Sequence, residues 1–210
     1  MPPNNIPDHI KKRYQHVYWA FYLCNTSLTE TKLLNSSDFN SKELELINSH
    51  PFQYFKVTLQ YSYIMEYHKL LEKGRKNNLE NISSLIWLNE SLKDNLGKKF
   101  NDTHQKNITL IAELKSSVYF KKLHNLRNKK FAHSEKNSVN EPFNIKEFNE
   151  EDISNGIEHL NKIGEIIKNC TTPFEFEYDL EVPSSENRTL NFIKFQSKYK
   201  QFFFEKQRIK

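Results

Sequence analysis

The residues whose types and spacing could do chemistry lie in one string, Leu126-Arg127-Asn128-Lys129-Lys130-Phe131-Ala132-His133-Ser134-Glu135. A histidine titrates near neutral pH and can take or give a proton there. An arginine presents a planar fork that binds phosphate in two bonds and steadies developing negative charge. Lys129 and Lys130 add positive charge beside this pair, although lysines there are more often a hydrated helix end than phosphate ligands. The bare Arg–His interval carries little weight. Five arginines and eight histidines in 210 residues produce about 0.6 such pairs by chance. Basic residues also favour the last turn of any helix, where they meet its negative dipole end. On a regular helix Arg127 and His133 would be ~9 Å apart in rise and point ~120° apart. They converge if the helix ends near Phe131 so that His133 turns back, or if a two-fold axis brings two copies of the segment together.

Neighbouring residues have both a chemical and a packing reading. His124 precedes Arg127 by three residues on the same helical face and could titrate in place of His133, although such a residue more often packs or is solvated. Phe131 and Ala132 suit a core that seats the helix end. In 174–182, Phe174, Phe176, Tyr178, Leu180 and Val182 alternate with Glu175, Glu177, Asp179 and Glu181. Period two predicts a half-buried strand. Its carboxylate row could hold a divalent metal, but a solvated face is the better reading because metal ligands must converge. After Pro183, the row Phe192, Phe195, Tyr199 and Phe202, with Lys194, Lys198 and Lys200 around it, predicts a basic aromatic helix. Such a helix can stack bases and neutralise phosphates, or pack on the bundle or on a second chain.

The elements that must position these residues read as helices. Ile10, Tyr14, Val17, Phe21, Cys24 and Leu28 form one face of a first helix opening near Pro7-Asp8. A short acidic helix follows around Ser41–Ser49. Phe52, Phe55, Leu59, Tyr63, Tyr67 and Leu70 mark a third, starting after Pro51 and stopping near Gly74. A fourth is expected over Leu79–Asn95, closing at Gly97. Ile108, Ile111, Leu114 and Val118, then Tyr119, Leu123 and Leu126, predict one long helix from about Asp102 to the low 130s. Asn149, with Asp152 three residues on, predicts the N-cap of a helix carrying Ile153, Ile157, Leu160, Ile163 and Ile167. The expectation is an all-α bundle over 1–170, with a strand-plus-helix extension over 171–210.

Composition excludes several chemistries. The four glycines form neither a G-x-G-x-x-G nor a Walker-type phosphate loop, and there is no G-x-S-x-G elbow. Cys24 and Cys170 are too few for a disulfide framework or a four-cysteine zinc site, and no H-E-x-x-H occurs. Free thiols and the lack of a secretory segment predict a cytoplasmic protein. No stretch reaches the length of a membrane span. The net charge is +5, unevenly spread: residues 115–130 carry six bases and no acid, 147–186 eleven acids and two bases, and 188–210 seven bases and one acid. A basic face suggests a polyanion partner. The alternative is that basic and acidic blocks pair with each other, within or between chains.

The string L-R-N-K-x-F-A-H-S resembles the HEPN superfamily, and within it the abortive-infection branch of the AbiU type. Arg127, Asn128 and His133 occupy the three marked positions of that motif. The likeness is sharp over about ten residues and looser over residues 5–170. It implies a helical bundle that dimerises and cuts RNA without metal or cofactor, leaving a 2′,3′-cyclic phosphate and a 5′-hydroxyl. The implied roles are Arg127 and His133 as catalytic residues, Asn128 orienting them, and Lys122, Lys129 and Lys130 binding substrate. A phage-defence or toxin role, neutralised by an antitoxin or released by a trigger, follows from the same likeness. Glu135 stands where toxins paired with nucleotidyltransferase antitoxins carry a modified tyrosine, so that mode of control is not implied. A HEPN-like module that binds nucleic acid or nucleotide without cutting it, and a protein-interaction module, are the alternatives.

Overall fold

The computed structural model describes residues 6–36, 38–73, 83–128, 148–174 and 189–198. Helix α1, Asp8–Leu34, buries the expected row from Ile10 to Leu28. Helix α2, Ser41–Ile47, opens with a reciprocal cap. The Asn40 side chain accepts from the Glu43 backbone N–H at 3.1 Å, and the Glu43 carboxylate accepts from the Asn40 N–H at 3.0 Å. Helix α3, His50–Leu71, carries Pro51 in its first turn, where no intrahelical bond is lost. It stops short of the expected Gly74, because Glu72 is already extended, with φ −89° and ψ 135°. Helix α4, Leu85–Leu96, starts later than expected, since Ser84 has the extended backbone of an N-cap. Residues 79–82 lie outside the described residues. At Gly97 the chain adopts φ 60°, a left-handed conformation that glycine takes without a Cβ penalty, and a 3₁₀ turn follows to Phe100.

The expected long helix from Asp102 is two helices, α5 over Asn101–Ser116 and α6 over Val118–Leu126. Ser117 separates them with φ −62° and ψ 153°. Its hydroxyl donates to the Leu114 carbonyl at 2.8 Å and accepts from the Phe120 N–H at 2.9 Å, so it caps α6. The break resets the helical phase. Val118, expected in the apolar row, is 83% exposed, while Tyr119 and Leu123 turn inward. Helix α7, Glu150–Thr171, has the expected Asn149–Asp152 capping box. Its buried stripe passes through Gly156 rather than Ile157, which is exposed. Phe174, first residue of the expected strand, ends a 3₁₀ turn; the rest of that segment lies outside the described residues.

These helices form an all-α bundle, with no strand among the described residues. Helix α1 packs most extensively on α3 and then on α7, while α7 also touches α4, α5 and α6. The core centres on Tyr14, Val17, Phe21 and Leu28 of α1, Tyr63, Ile64 and Tyr67 of α3, and Ile163 and Ile167 of α7. Each such aliphatic or aromatic burial contributes roughly 1.5–3 kcal/mol. A polar ladder ties α4, α5 and α7: Asn169 donates to Asn107 at 2.9 Å, and Asn107 donates to Asn89 at 3.0 Å. Buried and satisfied, it favours one register over others. Both cysteines are free and buried; burial pushes the Cys170 thiol up to about 12.

A smaller cluster of Leu34, Phe39, Ile47 and Leu59 receives a helix over 189–198, here α8, through Ile193 and Leu190. The docking face is thus centred on Ile193 and Leu190, with Phe192 of the expected aromatic row reaching Phe52 of α3 at 6.3 Å between ring centres. Phe192 is 53% and Phe195 64% exposed, because Ile193 and Leu190 lie on a different side of the helix. Tyr199 and Phe202 lie outside the described residues.

Candidate functional site at the end of helix α6

Helix α6 delivers the motif. Phe120, Leu123, His124 and Leu126 follow the Ser117 cap, and the helical backbone continues through Arg127 and Asn128. Lys129, Lys130 and His133 lie outside the described residues. The Arg127 guanidinium forms an ion pair with Glu72, the extended residue just beyond α3, through Nη1 and a carboxylate oxygen. Both side chains are partly buried, 25% and 33% exposed. Such a pair is screened less than a surface one. Asn128 Nδ2 donates to His124 Nε2 at 2.9 Å on the exposed side of the helix end.

Beneath Arg127 and His124 lies His68 of α3, fully buried. Its ring centre is 5.7 Å from that of His124 and 5.3 Å from that of Phe120. Its Nδ1 lies 2.7 Å from the Ile64 carbonyl oxygen. A carbonyl only accepts, so Nδ1 carries the proton and Nε2 holds a lone pair. Burial lowers the His68 pKa; the Ile64 carbonyl and Glu72 push upward, Arg127 and His124 downward. His68 is therefore neutral at physiological pH. Three buried polar atoms in this group have no hydrogen-bond partner among the described residues: His68 Nε2, His124 Nδ1 and Arg127 Nε. An unpaired buried polar atom costs about 1–3 kcal/mol, so three on adjacent side chains are unusual.

An aromatic wall backs this group. The Tyr67 hydroxyl and His159 Nδ1 share a hydrogen bond at 2.5 Å, Tyr119 meets the His159 ring edge-on at 4.9 Å, and Tyr119 donates to Tyr63 at 3.1 Å. Burial raises both Tyr67 and Tyr119 well above the ordinary tyrosine range and lowers His159. These residues are uncharged and inward, so they seat α6 rather than act on a ligand.

Of the residues expected at the site, Arg127 and Asn128 are brought together with His124, whereas Lys122 is on another side of the helix. Its ammonium pairs with Asp152 of α7 while Arg127 faces α3. His68 and Glu72 were missed by the sequence reading. Their i, i+4 spacing at the end of α3 placed them on one face, but nothing local linked that face to residue 127. Lys73, the residue after Glu72, and Arg13 of α1 lie against the Trp87 ring at 5.7 and 5.9 Å. Two grooves between α1 and α7 contain no motif residue. No group of three or more His, Cys, Asp or Glu able to hold a metal occurs among the described residues. None of their helices is long and apolar enough to cross a membrane.

No curated protein and no solved structure matches the chain. The family model HEPN_AbiU2, described as AbiU2, matches residues 8–177. That span takes in α1 to α7 and the whole of the Arg127–His133 string, and the chain therefore belongs to the AbiU2 family of HEPN proteins.

Proposed function

We propose that this protein is a metal-independent endoribonuclease of an abortive-infection or toxin system, cleaving RNA to 2′,3′-cyclic phosphate and 5′-hydroxyl ends. The observation that carries the reading is the placement of Arg127. Glu72 fixes one edge of its guanidinium at the end of α6, next to His124 and Asn128, in a chain whose motif continues to His133. An arginine held this way offers its remaining donors to a phosphate without losing its orientation. His133 serves as a proton-transfer group, Asn128 orients the histidine or the phosphate, and Lys129 and Lys130 draw the RNA backbone in. Lys122 joins them when the ion pair with Asp152 opens. A homodimer related by a two-fold axis would set two such segments round one cleft, and a neutralising antitoxin or a trigger protein would control it. Residues 171–210 form the appendage, with the exposed Phe192 and Phe195 beside Lys194 and Lys198 as a surface on which bases can stack.

A second reading, a HEPN module that binds RNA without cutting it, is favoured by one observation. Glu72 already compensates the Arg127 charge, and the stacking surface on α8 needs no chemistry. Both readings meet in one assay, RNA cleavage in EDTA by the wild type, Arg127→Ala, His133→Ala and the two mutants mixed. Cyclic-phosphate products that vanish in each single mutant support the ribonuclease. A folded wild type that binds RNA with a steep salt dependence and cuts none supports the binder. Cleavage indifferent to His133→Ala removes His133 from the site.

A further inference from the structure

Helix α3 carries a different feature at each end. Its first turns receive α8, since Phe52 meets Phe192 and Leu59 shares an apolar cluster with Ile193. Its last turn leads into Glu72, which holds Arg127. From Phe52 to Glu72 the rise is about 30 Å at ~1.5 Å per residue. At the α8 end four aromatic rings are open to solvent: Phe192 and Phe195 of α8, and Tyr54 and Phe55 of α3 at 72% and 40%. Lys194 and Lys198 stand exposed among them, and 189–198 contains no acidic residue. Between the two ends, Tyr54, Thr58, Tyr61, Met65 and Lys69 follow at steps of 4, 3, 4 and 4, a single stripe of α3 on which all but Met65 are exposed. The one acid within α3, Glu66, pairs with Lys69, and Glu72 pairs with Arg127. Negative charge along α3 is thus compensated from α8 to the motif. Exposed rings beside ammonium groups stack bases and neutralise phosphates of a single strand. A double helix hides its base faces and cannot use such rings.

We infer that α3 is a spacer between two grips on one RNA strand. Arg127 and Asn128 hold the backbone at one end, and Phe55, Phe192 and Phe195 with Lys194 and Lys198 hold a single-stranded flank at the other. This rests on RNA as the ligand at Arg127, which both readings above share, and goes beyond them in fixing the length and form of the RNA that binds. A strand rising ~3.4 Å per nucleotide covers the span in about nine nucleotides, and a stretched strand in fewer. RNA shorter than the span engages one grip at a time. Longer RNA engages both, because the second contact is then made within the complex at a high effective concentration. Affinity therefore steps up with length instead of growing in proportion to it. Stacking tolerates any base, so the far grip selects single strands without selecting sequence.

Fluorescence anisotropy of the full chain with oligouridylates tests this, using strands of about 4 to about 16 nucleotides whose 2′-hydroxyls are methylated so that none is cut. Affinity should rise about tenfold or more from the shortest to the longest, with the step near nine nucleotides or below. Phe192→Ser with Phe195→Ser should shrink that gain about fivefold or more. Phe195→Ser alone serves if the pair loosens α8 through Phe52. Lys194→Gln with Lys198→Gln should reduce the salt slope of the longest strand by about 1.4. Arg127→Ala should weaken short and long strands alike. A fully paired duplex of the longer length should bind the phenylalanine variant as it binds wild type. Affinity that does not step with length, or a gain untouched by the α8 substitutions, overturns the inference. So does a phenylalanine variant that sediments as a smaller oligomer with unchanged RNA affinity, which would make α8 an interface between copies of this chain. If the step appears but wild type cuts no unmodified RNA, the two grips stand and the ribonuclease reading fails by itself. If wild type cuts RNA and no step appears, that reading stands and the spacer fails.

Discussion

Gly156 of α7 is where three helices converge on one backbone atom, and replacing it with alanine tests the packing that places α6. A Cβ there would lie 2.8 Å from Leu28 Cδ2 of α1, 2.9 Å from the Tyr119 hydroxyl of α6 and 3.1 Å from the Tyr63 hydroxyl of α3. Ordinary contacts between such atoms are ~3.5–4.0 Å. Leu28 is buried, and the two hydroxyls are bonded to each other, so neither tyrosine can retreat without disturbing the other. Overpacking of this kind destabilises by about 1–3 kcal/mol. Three close contacts at once place the cost at the upper end, ~2–3 kcal/mol, and since alanine returns up to ~1 kcal/mol through its better helix propensity, the net loss is about 1–2 kcal/mol. For a chain of this length that lowers Tm by ~2–8 °C, measurable by circular dichroism with urea melts as a check. Adding Tyr119→Phe removes one of the close atoms, so the double mutant should be more stable than the sum of the single effects. Because Tyr119 and Arg127 share α6, Gly156→Ala should also weaken any activity that depends on Arg127. A Tm at or above wild type would show that α1, α3 and α6 do not approach α7 this closely.

Other perturbations probe different links. Ser117→Ala removes the cap that starts α6 and should lower stability by about 1 kcal/mol, read as a Tm drop of a few degrees. Glu72→Gln should change stability by less than about 1 kcal/mol, since the Arg127 pair is partly exposed, yet reduce RNA cleavage because Arg127 loses its fixed edge. A stability loss well above that with unchanged cleavage would make the pair purely structural. Burial lowers the folded-state pKa of His68 and His159, so the unfolded chain binds more protons below their ordinary range. Stability from these groups is present above about pH 6.5 and falls as the pH drops through their lowered folded values. The decline in Tm between pH 7 and pH 5 should be shallower in His159→Gln, if that variant folds, than in wild type. Phe192→Ser with Phe195→Ser should weaken RNA binding several-fold with little change in Tm, whereas Ile193→Ala should lower stability by loosening α8.

Much of the bundle was legible because its signals are local. Six apolar residues at 4-3-4-3-4 from Ile10 to Leu28 bury one face of a helix whatever surrounds it. Asn149 three residues before Asp152, and Gly97 after α4, mark helix ends through their own backbone chemistry. The family was legible for another reason: an uncommon string of ten residues is informative where an Arg–His interval is not. The sequence reading went astray where two local signals competed. Apolar residues recurred through 108–126 with a single-residue step from Val118 to Tyr119, and Ser117, offering both a donor and an acceptor to the backbone, split the helix there. In the same way the aromatic row of α8 drew the eye from Ile193 and Leu190, which fill the pocket left by Leu34, Phe39 and Ile47 while Phe192 meets Phe52 beside it.

The tertiary structure alone decided what meets Arg127. His68 of α3 and Glu72 just beyond it lie more than fifty residues earlier, on a segment whose helix packs against α1, and no periodicity in α3 points to α6. Lys122 and Arg127 share one basic string, yet five residues of helix turn them toward different neighbours, Asp152 of α7 and Glu72 beside α3. Which partner each cation finds depends on where three helices end relative to one another, and that is set by side-chain packing between segments distant in the chain. Local sequence determined the helices and the motif because both are short-range properties. The constellation around the motif is long-range, so only the folded bundle could settle it.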